Sequence, residues 1–340
     1  MNLKTLASEL GLSQTTVSRA LNGYPEVSEE TRRRVADAAA RLGYRPNVSA
    51  RRLATGRVGA VGAVLPSDGP LLLSPHFSEF LAGLGQTLAR HEIDVVVSAL
   101  DTLDELPTYR RIAAGKRVDA VIVSTPKPQD ERVTLLRELE LPFIVHGRTA
   151  MTVPHAWLDI DNEGAMFDAT NHLIDLGHTR IALGNGPPGL MFADLRERGW
   201  RRALQSRGFA PDPRYVAGGE MTDEMGFRFA RDVLALDPRP TAFLAGSITM
   251  ALGIFRALRS SGLELGRDIS MIAHDDVFPY LNADKMVPTL TTTRSSIRAA
   301  GARIAALLME MLGGRDPATI REEWPVQLIV GKSTGPAPRR

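Results

Sequence analysis

Residues 3–23 read LKTLASELGLSQTTVSRALNG, and this stretch decides how the chain begins to fold. Leucines recur at helical spacing in its first half, directly after Asn2, a residue type that caps helix N-termini. Gly11 tolerates the positive φ that ends a helix. Ser13 can then cap a second helix over residues 14–21. Two helices joined by so short a connection predict a helix-turn-helix.

The start of the second helix carries short polar side chains and one arginine. Such groups can donate and accept hydrogen bonds at base edges in the major groove of DNA. A third helix is predicted from the cap Ser28 to Leu42, with Gly43 as its end. The spacing alone leaves open a three-helix bundle that binds no ligand, because the same geometry occurs in proteins that do not bind DNA.

Charge is distributed unevenly along the 340 residues, although the formal net charge is only +2. Residues 1–57 hold ten Lys and Arg against five Asp and Glu, and the rest of the chain is slightly acidic. A basic head suggests a polyanionic partner, or else a solvated helical surface. The absence of Cys excludes disulfides and thiolate metal sites. No apolar run has the length of a membrane span or of a signal peptide, so we expect a cytoplasmic protein without a membrane partner.

The head resembles one family closely. Residues 3–23, Val27–Arg32 (VSEETR) and Leu42–Asn47 (LGYRPN) are similar, without a gap, to the head of the LacI/GalR family of bacterial repressors. The resemblance implies that Gln14, Thr15, Ser18 and Arg19 read bases. It also implies that Asn22 and Thr31 contact phosphates, and it adds Thr5 and Thr16 to the DNA-binding residues.

Residues 47–56 follow Pro46, which disfavours helix in the residue before it. Read alone, this segment predicts a linker, because a helix so short is unstable in water. The resemblance implies a hinge helix that orders on operator DNA. In that reading Asn47 and Arg51 contact the DNA, and Leu53 inserts into the minor groove as a wedge that kinks the duplex.

From residue 58 onward, apolar strand-like runs alternate with amphipathic helical segments. This alternation predicts parallel sheets with helices on both faces, and the length allows two lobes. Ligands in such folds bind at the carboxyl ends of the strands. The residues alone therefore predict a two-lobed α/β ligand-binding body behind an all-α head.

The resemblance to the LacI/GalR family continues in the body, through His172–Ala182, Met250–Gly253, Asp268–Asp276 and Pro288–Thr292. It implies a body like the periplasmic binding proteins, with the chain crossing between lobes three times. The expected organisation is a helix-turn-helix domain (1–46), a hinge (47–56), an effector and dimerisation domain (57–330) and a tail (331–340). Within the third, we expect an N-lobe of 57–159 plus 290–322 and a C-lobe of 160–288 plus 323–330.

The effector site is expected between the lobes. By the resemblance, Arg196 reaches into the cleft with a forked set of donors, and Asp275 accepts hydrogen bonds from sugar hydroxyls. Without the family, a surface charge is the simpler interpretation of each. Further candidates follow strand ends or match effector contacts of relatives: Ser67, His76, Phe77, His146, Arg148, Met221 and Ser247. Phe77 alternatively belongs to the core.

Ser247 marks a departure from the family, because residues 246–249 (GSIT) stand where relatives carry an Asn/Asp-Asp pair. The ligand of any single relative therefore does not transfer. A polar cleft with few aromatic residues favours a sugar over a purine. Residues 146–149 (HGRT) and 157–163 (WLDIDNE) resemble regulators that respond to α-glucosides or other oligosaccharides.

No phosphate-binding Gly-rich loop, zinc-site spacing or nucleophile elbow occurs in the sequence, so we predict no cofactor, no metal and no enzyme. The prediction is a homodimeric repressor that binds palindromic operator DNA and is released by a small sugar. The sequence leaves open a corepressor-dependent or activating regulator, a solute-binding protein of a transport system, or a sugar-converting enzyme. The last ten residues lack the apolar heptads of a tetramerising coiled coil.

Overall fold

The computed structural model describes residues 2–21, 24–44, 57–66, 74–100 and 104–338. By its internal contacts the chain divides into two units, Met1–Gly59 and Ala60–Arg340, called here the head and the body. Several predicted positions lie outside the described residues, namely Asn22, Asn47, Arg51, Leu53 and Ser67, together with the rest of the hinge 47–56. Among the described residues, no helix combines the length and apolar character needed to cross a membrane.

The head contains three helices, as predicted: α1 (Leu3–Leu10), α2 (Gln14–Leu21) and α3 (Glu29–Arg41). Gly11 ends α1 in the left-handed region, with a φ of 63°. Leu6 of α1, Val17 of α2 and Val35 of α3 are fully buried and belong to one hydrophobic cluster. The apolar stripes therefore form one small core, and the polar start of α2 stays on the outside.

The body contains two six-stranded sheets. Their strands are β1 (Ala60–Pro66), β2 (Asp94–Leu100), β3 (Ala120–Ser124), β4 (Phe143–His146), β5 (Ala156–Ile160), β6 (Ile181–Asn185), β7 (Val216–Gly218), β8 (Ala242–Ala245), β9 (Ser270–Asp275), β10 (Thr291–Arg294), β11 (Arg321–Trp324) and β12 (Gln327–Ile329). The first sheet has the order β11-β5-β4-β3-β1-β2, and the second has the order β12-β10-β9-β8-β6-β7. All neighbouring strands are parallel except β10 and β12. The predicted fold class is confirmed.

The helices of the body pack largely in pairs. They are α4 (Pro75–Leu88), α5 (Leu106–Ala114), α6 (Glu131–Glu138), α7 (Asn162–Asp175), α8 (Met191–Ser206), α9 (Asp223–Leu234), α10 (Ile248–Ser260) and α11 (Ile297–Leu312). The pairs are α4 with α11, α7 with α8, and α9 with α10. Glycine lies at each contact: a Cβ on Gly301 would stand 2.2 Å from the carbonyl oxygen of Phe80, and one on Gly199 would stand 2.1 Å from that of Glu163.

The chain crosses between the two sheets at positions that differ in part from those expected. The first sheet with its helices is called the N-lobe, and the second with its helices the C-lobe. Strand β10 pairs with β9, so the second crossing follows Arg294 rather than Thr289. Strand β11 pairs with β5 along its whole length, which keeps Trp324 in the N-lobe. Both differences arise because each boundary is set by backbone pairing, which the apolar pattern does not reveal.

The segment after β12 was expected to be a tail, yet residues 331–338 are built into the C-lobe. Ser333 is fully buried, and its hydroxyl donates to the carbonyl of Met271 over 2.6 Å and accepts from the amide of Thr291 over 2.8 Å. The amide of Met271 in turn donates to the carbonyl of Ser333 over 2.9 Å. These bonds tie the segment to β9 and β10.

Candidate functional site

The outward face of α2 carries the residues predicted to read DNA. Gln14, Thr15 and Arg19 are exposed, and Ser18 is half-buried, whereas Val17 on the opposite face is in the core. A long amide, a hydroxyl and a guanidinium side by side can bond adjacent base edges. The structure therefore presents these four side chains together on one helix.

Three of the four threonines predicted to contact DNA share a local role in the head. Thr5, Thr16 and Thr31 each occupy the third position of a helix, and each backbone amide donates to the side chain of the cap residue three positions earlier. Their hydroxyls bond the same caps, over 2.9, 2.8 and 2.9 Å. These side chains fix the helix starts, and any contact with DNA would be shared with that role.

The second candidate site is a cleft of about 200 Å³ at the carboxyl ends of the strands. A cavity needs only ~10–15 Å³ to hold one water molecule, so the cleft has room for a much larger molecule. Six of the nine predicted effector residues line it: His76, Phe77, His146, Arg148, Arg196 and Met221. The lobes touch at its edge, where the amide of Met191 donates to the carbonyl of Pro126 over 2.9 Å.

Arg196 holds the C-lobe side of the cleft. It is 5% exposed, and its Nε donates to Asn162 Oδ1 and its Nη1 to the carbonyl of Gly246, both over 2.8 Å. Its guanidinium also lies 5.1 Å from the ring centroid of Phe192. Burial lowers the pKa of Arg196 to about 10, although Asp276 and Asp159 oppose the change. The arginine is thus charged and rigid, with Nη2 not bonded to any described residue.

Of the two adjacent acids after β9, Asp276 lines the cleft and the predicted Asp275 does not. The Asp275 carboxylate is turned away, bonded to Arg294 Nε over 3.0 Å and to the amide of Val277 over 2.8 Å. Asp276 Oδ1 lies 3.6 Å from His76 Nε2 and 3.5 Å from His274 Nε2. Burial alone would raise the pKa of Asp276, but the two histidines and Arg196 outweigh it and lower the pKa to about 2. It is therefore a permanent acceptor.

Ser247, predicted to contact the effector, is instead the cap of α10. It is 4% exposed, and its hydroxyl accepts from the amide of Met250 over 3.1 Å. Its neighbour Gly246 lines the cleft in its place. A small residue at 246 brings the backbone carbonyl, rather than a side chain, to Arg196.

A chain of polar contacts joins the two lobes along the wall of the cleft. Arg148 Nε lies 3.3 Å from Asp159 Oδ2, and Asn162 Nδ2 donates to Asp159 Oδ1 over 3.2 Å. Asn162 continues the chain to Arg196. Burial raises the pKa of Asp159 to about 6, against the effects of the Ile160 amide and of Arg148. These residues surround the first crossing of the chain and link side chains of the two lobes.

Aromatic rings form the remaining walls. The rings of Phe80 and His146 are stacked with centroids 4.5 Å apart, and burial with the nearby His76 lowers the pKa of His146 to about 3. His146 is therefore a neutral ring near physiological pH. Phe77 and Phe192 also line the cleft. Flat apolar faces beside hydrogen-bonding groups are typical of a small-molecule site.

Several lining residues were not predicted. Phe192 stands one turn before Arg196 on the same helix, and that spacing could have revealed it. Asp161 caps α7, and Asn162, the first residue of that helix, lies in the cleft. Glu105 and Arg132 line the opposite side, paired over 2.9 Å. No sequence signal pointed to them.

Comparison with known proteins covers nearly the whole chain. Residues 2–47 match the family described as bacterial regulatory proteins, lacI family, and residues 58–329 match periplasmic binding proteins and sugar binding domain of LacI family. The HTH-type transcriptional regulator AglR of Rhizobium meliloti (strain 1021) is 48% identical over 341 residues, which is 100% of this chain and 96% of AglR.

Two solved structures extend the comparison. The lac repressor dimer bound to operator and the anti-inducer ONPF aligns with a TM-score of 0.78 at 27% identity, covering 98% of this chain and 99% of that one. The transcriptional regulator CelR–cellobiose complex aligns with a TM-score of 0.73 at 29% identity, again covering 98% and 99%. Both alignments include the head as well as the body.

Proposed function

Because the chain belongs to the LacI family of bacterial regulatory proteins and is a DNA-binding transcriptional regulator, we propose that it represses carbohydrate-utilisation genes until a neutral sugar releases it. The proposed sugar is an α-glucoside or another oligosaccharide. It binds in the cleft between the lobes, where Arg196 and Asp276 bond its hydroxyl groups.

The balance of charge in the cleft carries this proposal. Arg148 is paired with Asp159, and Arg132 is paired with Glu105. The negative charge of Asp276 stabilises the positive charge of Arg196. An anionic ligand would have to displace one of these carboxylates, and a cationic one would have to displace an arginine. A neutral molecule rich in hydroxyls instead accepts from the guanidinium and donates to the carboxylate at once. Its apolar C–H faces would pack on Phe77, Phe80 and Phe192.

We extend the proposal to the DNA and to assembly. One head contacts few base pairs, so a symmetric dimer reading a palindrome suits the fold, and the lac repressor compared above is a dimer on its operator. Gln14, Thr15, Ser18 and Arg19 read bases, and Leu53 with the rest of segment 47–56 contacts the minor groove. In this proposal the protein acts in the cytoplasm, where the operator DNA is located. Sugar binding lowers operator affinity through a coupling free energy of ~1–3 kcal/mol.

The proposal is tested by gel shift with a palindrome from the neighbouring promoter, at several salt concentrations and with a panel of glucosides. We expect a sequence-selective shift that one α-glucoside or oligosaccharide weakens. A sugar that strengthens the shift would establish corepression instead. The absence of selective binding with and without every sugar would contradict the repressor assignment, and recovery of a chemically altered sugar would establish an enzyme.

A further inference from the structure

A second cavity, of about 160 Å³, lies beside the cleft in the N-lobe. It is formed by the loop between β4 and β5 together with the start of β11. The residues that line it and carry polar groups are Arg148, Thr149, Thr152, His155 and Arg321. Trp157 forms an apolar wall, and it faces Arg321 in the register of β5 and β11.

The charges of this cavity are not balanced, unlike those of the cleft. No Asp or Glu is among the described residues that line it, and within the described part of the chain no carboxylate pairs with Arg321. Arg148 contributes to both cavities: its Nε faces Asp159 and its Nη1 faces Glu323, which leaves Nη2. Because Asp159 and Glu323 already pair with Arg148, the net positive charge of the cavity comes from Arg321, an exposed arginine, and it makes the cavity a site for negative charge.

The remaining donors are the loop hydroxyls, because His155 uses its single N–H within the loop and its Nε2 can only accept, 3.5 Å from the hydroxyl of Thr149. His155 is buried, and its Nδ1 lies 2.7 Å from the carbonyl of Val153, an arrangement in which that nitrogen carries the proton. Burial and the positive charge of Arg321 lower the pKa of His155, which keeps the ring neutral. The hydroxyl of Thr152 lies in an exposed residue of the loop, so a ligand can reach it from solvent.

We infer that this cavity binds a small oxyanion, a phosphate or carboxylate group, and that Arg321 is its main ligand. Arg321 supplies two parallel donors to the anion, as guanidinium groups do with both kinds of oxyanion. Arg148 joins it from the side of the cleft through Nη2, and the loop hydroxyls complete the shell.

The binding test uses the full-length protein without sugar or DNA. Inorganic phosphate and acetate are titrated separately against chloride at equal ionic strength. The fluorescence of Trp157 is obtained by subtracting the emission of the Trp157→Phe variant from that of the native protein. Phosphate bound by the basic head does not enter this signal, because all three tryptophans lie in the body and Trp200 is fully buried. We expect saturation by phosphate, by acetate or by both, and the pattern tells which oxyanion the site takes.

Arg321→Gln should weaken this binding about tenfold or more, because a charge-assisted bond of this kind is worth at least one decade in affinity. The matched control is Arg259→Gln, which removes one exposed arginine from the C-lobe and should leave the affinity within twofold. Arg321→Lys keeps the charge and should bind more weakly than native but better than Arg321→Gln. No saturation by either anion, or equal loss in Arg321→Gln and Arg259→Gln, would overturn the site.

A regulatory consequence rests on the proposed function. An anion that draws Arg148 towards Arg321 weakens the ion pair between Arg148 and Asp159. Asp159 is hydrogen-bonded to Asn162, and Asn162 is hydrogen-bonded to Arg196. Sugar affinity should therefore differ between phosphate and chloride in native protein and not in Arg321→Gln. Equal sugar affinity in both salts, with normal saturation of the Trp157 signal, would overturn this coupling while leaving the anion site in place.

Discussion

Arg196 is fixed from two separate segments of the C-lobe, Asn162 and Gly246, before any ligand arrives. Arg196→Lys keeps the positive charge but loses the forked geometry that holds it. Each bond to a charged group is worth about 1.5–3 kcal/mol, so sugar affinity measured by calorimetry should fall by roughly 10-fold to 100-fold. Operator affinity without sugar should stay near the native value.

Arg198→Lys is the matched control for that substitution, because Arg198 lies on the same helix but is exposed and paired with Glu163. It should leave sugar affinity unchanged. A similar loss of affinity in both variants would assign the effect to α8 as a whole rather than to the guanidinium in the cleft.

Two neighbouring acids allow a sharper test of the site. Asp276→Asn should abolish sugar binding at micromolar protein concentrations, because a permanently ionised acceptor becomes a neutral amide between His76 and His274. Asp275→Asn removes an ion pair with Arg294 instead, so it should lower the melting temperature while sugar affinity changes less. The reverse ranking of the two affinities would return the role of sugar ligand to Asp275.

Asp159 should give the body a distinct pH dependence. Its pKa is about 6 in the folded protein, against an ordinary value of 3.8, so the folded state holds the proton more tightly. Stability contributed by Asp159 is therefore greatest below pH 4 and falls as the pH rises to about 6, by up to ~3 kcal/mol. Relative to native protein, Asp159→Asn should gain free energy of unfolding between pH 4 and pH 6 in urea titrations. A constant difference across that range would contradict the assigned pKa.

There is a physical reason why Asp275 and not Asp276 was predicted from the sequence. The last residues of β9 alternate between the two faces of the sheet, and two adjacent acids give no sign of which one faces the cleft. The answer depends on Arg294, which lies on β10 and pairs with Asp275 across the sheet. Contacts between strands so far apart in the chain are not contained in a local pattern.

At the scale of helices and strands, the close approach of α4 and α11 is the feature most open to test. A Cβ on Gly83 would lie 1.9 Å from the carbonyl oxygen of Arg298, so Gly83→Ala forces the two helices apart. We expect a loss of about 1–3 kcal/mol in the free energy of unfolding, from overpacking alone. Thermal unfolding followed by circular dichroism measures it.

Gly85 provides the comparison within the same helix, because nothing lies within 4 Å of a Cβ placed there. Gly85→Ala should stabilise the protein by about 0.5–1 kcal/mol, through helix propensity. Equal effects of the two substitutions would show that propensity, and not the helix contact, determines the result at Gly83.

Sequence patterns within a few residues correctly predicted where the helices of the head begin. Asn2, Ser13 and Ser28 each cap the helix expected of them, since a cap is a contact within four residues of chain. Helix α5 has no comparable local signal, because its nine residues contain only one short apolar stripe, around Tyr109 and Ile112. Its stability comes from packing on α6 and the N-lobe, which no window of the sequence reports.

At the scale of the whole molecule, residues 331–338 should matter more to the body than their composition suggests. Deleting residues 331–340 leaves the amides of Thr291 and Met271 without their partner Ser333. Each buried donor left unsatisfied costs about 1–3 kcal/mol, so the melting temperature of the body should fall markedly. Deleting only residues 339–340 is the control and should leave it unchanged. A native melting temperature after the longer deletion would mean that water satisfies these amides equally well.

The three crossings have a consequence for synthesis. Strand β11 completes the edge of one sheet and β12 completes the edge of the other, and both are translated after all the other strands. At ~5–20 residues per second, the ribosome needs on the order of tens of seconds to make the body. Until its end is made, β5 and β10, which are covered by β11 and β12 in the finished protein, are edge strands available to other nascent chains. A ribosome that stops just before β11 therefore releases a polypeptide with finished DNA-reading helices and two incomplete lobes, rather than one sound lobe and one damaged lobe.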